Sequence, residues 1–288
     1  MLPASASNIP GPLIAAFFFV FGLVIGSFLN VVIIRLPAGK SIVLPTSACT
    51  HCGAAIRPYD NIPVLSYLIL GGKCRKCRAR ISPMYPTVEF LTGLLFLFCF
   101  LAFGLTLATL KWVIFSAIIV VLIFTDLRER ILPDKINFPG FIIGLLLSLF
   151  VPVGDGTAAF LAHHLFAFPP PDWVLSLADA LIGALVGSGI LWTISEGYFR
   201  LRGREGMGLG DVKMMLMAGA FLGLKRTVLT ILAGSILGSV IGVAVIAIKR
   251  KSSDYELPFG TFLGAAALLT VFFGTIFVTW YVSLLHIE

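Results

Sequence analysis

Charge is what this chain has least of. Asp, Glu, Lys and Arg make up 12% of its 288 residues and hydrophobic residues 58%, against about 25% charged and about 45–50% apolar in an ordinary soluble domain. With a mean hydropathy of +1.02, that deficit excludes a disordered chain, a disulfide mini-protein and a routine cytosolic enzyme. Other signatures are missing too. No basic n-region and no small-x-small cleavage site accompany the first apolar run, which therefore reads as an anchor and not a removed signal peptide. No dinucleotide fingerprint or P-loop occurs; the only glycine-rich segment lacks the preceding strand and the right spacing. No aromatic-interleaved basic domain is present, which argues against nucleic acid as a partner. No internal repeat of the kind that builds transporters is evident.

What is present is a succession of apolar runs. A bilayer core about 30 Å thick takes about 20 apolar residues per helix. Residues 12–34 supply one span. Residues 88–125 would extend about 57 Å at about 1.5 Å per residue, close to two crossings, so a hairpin is expected with its break near Gly104 and Lys111. Further spans are expected over 136–153, 177–199, 212–248 (divided at 223–226 into two) and 259–285. The expected fold is an all-α polytopic membrane protein with about eight transmembrane helices. Three parts follow: residues 1–34 as N-terminal segment and first span, 35–87 as a loop, and 88–288 as a multi-helix membrane core. With the N-terminus outside, all of the 21 lysines and arginines except Lys111, Lys225 and Arg226 fall on the inner side. This asymmetry predicts the cytoplasmic face and gives the net charge of +7 a use, attraction to anionic membrane lipids.

The 35–87 loop carries Cys49 and Cys52, then Cys74 and Cys77, two CxxC pairs separated by 21 residues. That spacing matches a four-thiolate zinc ribbon. In the reducing cytoplasm disulfides are disfavoured, and four thiolates leave no open coordination position, so the expected Zn2+ is structural. His51 is expected to be solvated, and Cys99, inside an apolar helix, to be a small buried hydrophobe.

Most of the 14 acids fall in loops, and two demand more explanation. Asp126 directly follows an apolar run, and Asp211 ends Gly206-Met207-Gly208-Leu209-Gly210-Asp211 just before another. Ionisable groups at the membrane rim are costly and mark function by default; the bland alternatives are an interfacial carboxylate or, for Asp211, a helix N-cap. Both lie at the cytoplasmic end of a span. Two carboxylates that meet can share one proton, the neutral one polarising a peptide carbonyl while the ionised one activates water. The alternating glycines leave room for an extended peptide to approach.

These residues, with others in order, resemble the prepilin peptidases, the type 4 prepilin leader peptidase/N-methyltransferases of the GxGD aspartyl protease group. The resemblance rests on Gly26-Ser27-Phe28-Leu29-Asn30, the two CxxC pairs with Asn61-Ile62-Pro63 between them, Tyr85-Pro86 and Glu89, Asp126 with Leu132-Pro133-Asp134, Gly208-Leu209-Gly210-Asp211-Val212-Lys213, and Pro258-Phe259-Gly260. It implies catalytic roles for Asp126 and Asp211 and support from Gly208, Gly210, Lys213, Asp134, Asn30 and Glu89. It also implies cleavage of short basic leaders from type IV prepilin or pseudopilin precursors at the bacterial inner membrane. Methylation of the new N-terminus with S-adenosylmethionine would follow, since chains with the cysteine loop are the bifunctional kind. Met84, where a basic residue is expected, and Thr261, where proline is usual, depart from the pattern. Two other uses of the same features are a proton or cation transporter built on the aspartates and a non-catalytic zinc-ribbon docking platform.

Overall fold

The computed structural model describes residues 11–165, 168, 170–203, 207–249 and 257–284. Among them every regular element is helical: α1 (Gly11–Arg35), α2 (Leu65–Ile69), α3 (Met84–Phe103), α4 (Leu107–Glu129), α5 (Asp134–Ser148), α6 (Thr157–Leu165), α7 (Asp172–Arg202), α8 (Leu209–Lys249) and α9 (Phe259–Leu284). Among the described residues the only extended pairings are two isolated bridges, Ala48 with Ala55 and Lys73 with Arg80, and six helices are long and apolar enough to cross a membrane: α1, α3, α4, α7, α8 and α9. Their outward faces, such as Leu13, Phe17, Val20 and Val24 on α1, are apolar and exposed, as a lipid-facing surface must be. The helices themselves keep every mid-span backbone group paired where water is absent.

The expected spans map onto these helices with one difference in length. The 136–153 run forms α5, which has 15 residues, shorter than the roughly 20 needed to cross at full thickness. The 212–248 run forms α8, two helical arms that meet at a kink at Gly223 (φ 75°, ψ −177°), inside the expected interruption. The hairpin after α3 turns at Gly104, which takes φ +67° and donates its N–H to Phe100 O at 2.8 Å. Lys111, expected in that turn, lies inside α4 and is 1% exposed. Residues 157–165, expected as loop, form α6, where His163 and His164 are exposed. The end of the last run and Gly206 lie outside the described residues.

The chain forms two compact units, Met1–Val121 and Leu122–Glu288, with α4 running through the boundary. In the first, α1 and α3 pack along their length because α1 offers glycine where α3 comes closest. A Cβ on Gly22 would stand 2.8 Å from Gly93 Cα, and one on Gly26 2.6 Å from Glu89 Cα. Asn30 Nδ2 donates to Tyr85 O at 3.0 Å at the same end of the pair. In the second unit the first arm of α8 is central, with α5, α7 and α9 around it. Met214, Met215, Met217, Ala218, Ala220 and Phe221 have no exposed surface. Gly183 on α7 meets Gly219 on α8 at backbone contact, since a Cβ on either would fall within 2.5 Å of the other's carbonyl oxygen. Close approach of this kind is what drives helix association in lipid, where burial of apolar surface gives no advantage.

Candidate active site and metal centre

Asp126 sits in the last turn of α4 and Asp211 in the first turn of α8, 6% and 8% exposed. Neither position is accidental. The apolar run of α4 ends at Asp126, and α8 begins at Leu209 after glycines that impose no side chain. Asp211 is the third helical residue and not the N-cap; its N–H donates to Gly208 O at 3.1 Å. Gly260, in the first turn of α9, brings the two acids together. A Cβ on Gly260 would lie 3.0 Å from Asp211 Oδ1 and 3.2 Å from Asp126 Oδ2, so both carboxylates face a single point.

Their hydrogen bonding is unequal. The Thr261 backbone N–H and hydroxyl donate to Asp126 Oδ2 at 2.7 and 2.9 Å. Asp211 Oδ1 is buried and has no hydrogen-bond partner. A twice-donated oxygen is suited to the ionised acid, and an oxygen with no donor to the one that holds a shared proton. Thr261 and Gly260 were not expected at the site. The sequence signals were Gly260 in the Pro258-Phe259-Gly260 block and Thr261 standing where proline is usual; proline would bring neither donor.

The supporting residues separate into three groups. Gly208 and Gly210 flank the acids differently. A Cβ on Gly210 would meet Leu132 Cβ at 3.1 Å, whereas one on Gly208 would meet nothing closer than 3.8 Å, with Asp211 Oδ2 at 3.9 Å. Gly208 therefore borders open space beside Asp211. Lys213, one half-turn beyond Asp211, reaches Asp134 at the start of α5 with contacts of 2.8 and 2.9 Å, which ties α5 to α8 next to the acids. Asn30 and Glu89 belong to the other unit. Glu89 Oε2 accepts the Val64 N–H at 2.7 Å, anchoring the loop to α3.

The four loop cysteines form the second centre. Their sulfurs all lie within 4.8 Å of one another, and Cys49 Sγ and Cys77 Sγ are 3.8 Å apart. Four thiolates at about 2.3 Å from a tetrahedral ion would be about 3.8 Å from one another. Each pair sits on the same short turn. Cys49 N–H donates to Ala54 O and Cys74 N–H to Ala79 O, while Gly53 N–H returns to Cys49 O and Arg78 N–H to Cys74 O. Gly53 (φ +68°) and Arg78 (φ +60°) take the same left-handed step after the second cysteine. The amides of Cys52 and His51 hold the Cys49 thiol down at about 6. The Ala79 amide acts in the same direction on Cys77, but loss of solvent and the neighbouring sulfurs outweigh it and leave that thiol up at about 11. The donor set fits a metal ion such as zinc. Beside it, the Arg75 guanidinium grips both oxygens of Asp60 and holds that carboxyl below its usual range.

Residues 20–103 match the Bacterial Peptidase A24 N-terminal domain, and residues 113–243 match the Type IV leader peptidase family. The chain is 33% identical to the prepilin leader peptidase/N-methyltransferase of Aeromonas hydrophila, over 92% of each chain. It is 34% identical to that of Pseudomonas aeruginosa over 88% of each, and 34% identical to that of Burkholderia pseudomallei strain 1026b over 95% of this chain and 90% of the relative. No solved structure matches.

Proposed function

This chain belongs to the type IV leader peptidase family, and on that premise we propose that it cleaves the leader from type IV prepilin or pseudopilin precursors and methylates the new N-terminus. The observation that carries the peptidase reading is the convergence of Asp126 and Asp211 on one point at Gly260, with Thr261 donating only to Asp126. A scissile carbonyl placed between the acids receives the proton of Asp211 on its oxygen. Asp126 takes a proton from water as the water oxygen bonds to the carbonyl carbon. Collapse of the tetrahedral intermediate breaks the C–N bond: the proton held by Asp126 passes to the departing amine nitrogen, and one hydroxyl of the intermediate returns its proton to Asp211 as the new carboxyl forms. The buried setting and the positioned carboxylates supply electrostatic stabilisation and general acid–base catalysis together.

Gly208 leaves the space in which the substrate backbone lies beside Asp211, and Gly210 lets α8 approach Leu132. The Lys213–Asp134 pair holds α5 against α8, a positioning role. Asn30 and Glu89 support the cysteine loop. Cys49, Cys52, Cys74 and Cys77 would hold Zn2+ as a structural ion, closing a loop too polar to form its own core. When bound, S-adenosylmethionine would supply the methyl group that the new amine takes up. The sorted lysines and arginines support a multi-pass orientation in the bacterial inner membrane with the N-terminus outside. In that orientation the cysteine loop and the aspartates face the cytoplasm and the basic residues meet anionic lipids.

Asp126→Asn and Asp211→Asn, assayed on a purified pilin-like precursor in detergent, are expected to lower kcat by about 10²–10⁴-fold while helical content is retained. Cleavage retained by both variants would remove the dyad from the mechanism.

A further inference from the structure

The segment between α1 and α3 has a surface that a water-facing loop should not have. Leu65, Leu68 and Ile69 of α2 are 50%, 67% and 70% exposed, and Val43 and Leu44 are 76% and 68% exposed. Residues 65, 68 and 69 stand at i, i+3 and i+4, one face of a helix, while Ser66 on another face is buried. The apolar face of α2 is therefore turned outward and its polar residue inward, the reverse of a helix covering a soluble core.

Both apolar stretches are fixed at the same end of the α1–α3 pair. Arg35, the last residue of α1, donates to Ser41 O at 3.2 Å and to Thr46 O at 3.5 Å. Ser41 Oγ in turn accepts the N–H groups of Val43 and Leu44, each at 3.2 Å. Val43 and Leu44 thus form the tip of a turn secured to the helix end. On the other side, Glu89 in the second turn of α3 accepts the Val64 N–H that opens α2, and Ser66 Oγ donates to Tyr59 O at 3.0 Å. Arg35 and Glu89 flank the level where Asn30 joins Tyr85. The two apolar lips are therefore both held at this end of the helix pair.

Charge identifies what covers them. Residues 35–80 carry eight lysines and arginines and a single carboxylate, Asp60, which Arg75 already occupies. An apolar face on a segment rich in positive charge, tied to the end of two apolar helices long enough to cross a membrane, matches an anionic bilayer surface. A basic leader would be repelled by the same charges. We propose that the cysteine module is a membrane-surface docking element: Val43, Leu44, Leu65, Leu68 and Ile69 insert into the headgroup layer of the leaflet it faces, and the basic residues hold anionic phospholipid. The inference rests on the inward orientation given above for this loop but on neither catalytic aspartate.

The test uses the full chain in nanodiscs of phosphatidylcholine alone or phosphatidylcholine with phosphatidylglycerol, read by hydrogen exchange of residues 41–46 and 62–69. Exchange is expected to slow by about fivefold or more in the anionic discs, with added salt reversing the gain. Leu68 replaced by a photo-crosslinking residue is expected to give a phospholipid adduct. Equal exchange in both discs and in detergent would overturn the proposal. So would protection that appears only when precursor is added, or an adduct that is protein; either would make the lips a protein-binding surface. Precursor cleavage by the unmodified chain is measured in the same discs. Lost lip protection with intact cleavage refutes the docking element alone, whereas protected lips with Asp126→Asn and Asp211→Asn still active refute the dyad alone.

Discussion

At the scale of single residues, Thr261 shows how much of the site depends on one hydroxyl. Its two donors end on the same oxygen of Asp126, and a hydrogen bond to a charged group is worth about 1.5–3 kcal/mol. Thr261→Val keeps the N–H, the shape and the helix but loses the hydroxyl, so kcat for leader cleavage is expected to fall by about 10–100-fold; Thr261→Ser is expected to restore it. Equal rates for the valine and serine variants would show that the hydroxyl does not act on Asp126. The glycines make a second contrast. At Gly260 a methyl would press between the two carboxylates, whereas at Gly208 it would meet no atom within 3.7 Å. Gly260→Ala is thus expected to lower kcat, while Gly208→Val leaves thermal stability unchanged and raises KM by occupying the substrate's space. Asp126 and Asp211 were legible in the sequence because carboxylates at the edges of apolar runs are conspicuous. Thr261 was visible only as a departure from the resemblance, and a threonine near the start of a helix has no evident role until its partner, 135 residues away, is known.

At the scale of elements, the break in α8 shows the same division. The interruption at 223–226 was visible as a glycine followed by two basic residues inside an apolar run. What holds it was not. Gly223 takes φ +75°, and the amides that follow it would be orphans at the start of a new helical arm. Asp155 satisfies them, accepting from Leu224 N and Lys225 N at 3.1 Å each, and Thr157 Oγ1 also donates to it at 2.6 Å. Nearby, Asp179 does the same for α6, accepting from Gly156 N and Ala158 N. Asp155 lies in no motif and no apolar run, Asp179 stands at the edge of one, and sequence periodicity cannot pair a carboxylate with amides 23 or 70 positions away. Asp155→Ala leaves two part-buried donors without a partner, which costs about 1 kcal/mol or more. The melting temperature of the purified chain is expected to drop by several degrees, while Asp155→Asn, which keeps an acceptor, loses less. An Asp155→Ala variant as stable as the parent would show that the break needs no cap. Element number was the least legible quantity for a related reason. Hydropathy measures how long a run is, but not whether a 15-residue helix such as α5 crosses, or whether a glycine divides one helix into two.

At the scale of the whole molecule, the scarcity of charge is a sorting rule. The membrane units hold together through glycine contacts and buried threonines, while the cysteine module has little apolar interior, most of its large hydrophobic side chains being exposed and none buried. Its order must therefore come from elsewhere, and the sulfur tetrahedron is the available source. The sulfurs begin in different states: backbone amides hold the Cys49 thiol down at about 6, whereas loss of solvent and the neighbouring sulfurs push that of Cys77 up to about 11. A metal ion binds thiolates, so its uptake expels the protons the four thiols still hold, that of Cys77 among them. Affinity therefore falls by at least about tenfold for each unit of pH lowered. Competition against a zinc-binding dye is expected to show this slope, with one ion per chain. Removing the ion with a chelator is expected to speed hydrogen exchange in residues 48–55 and 73–80 by orders of magnitude while α1 and α3, held by their own glycine contacts, keep their protection. Cys52→Ser should reproduce the loss without chelator. A pH-independent affinity, or a chelated module that exchanges as slowly as the loaded one, would mean that something other than the four thiolates orders it.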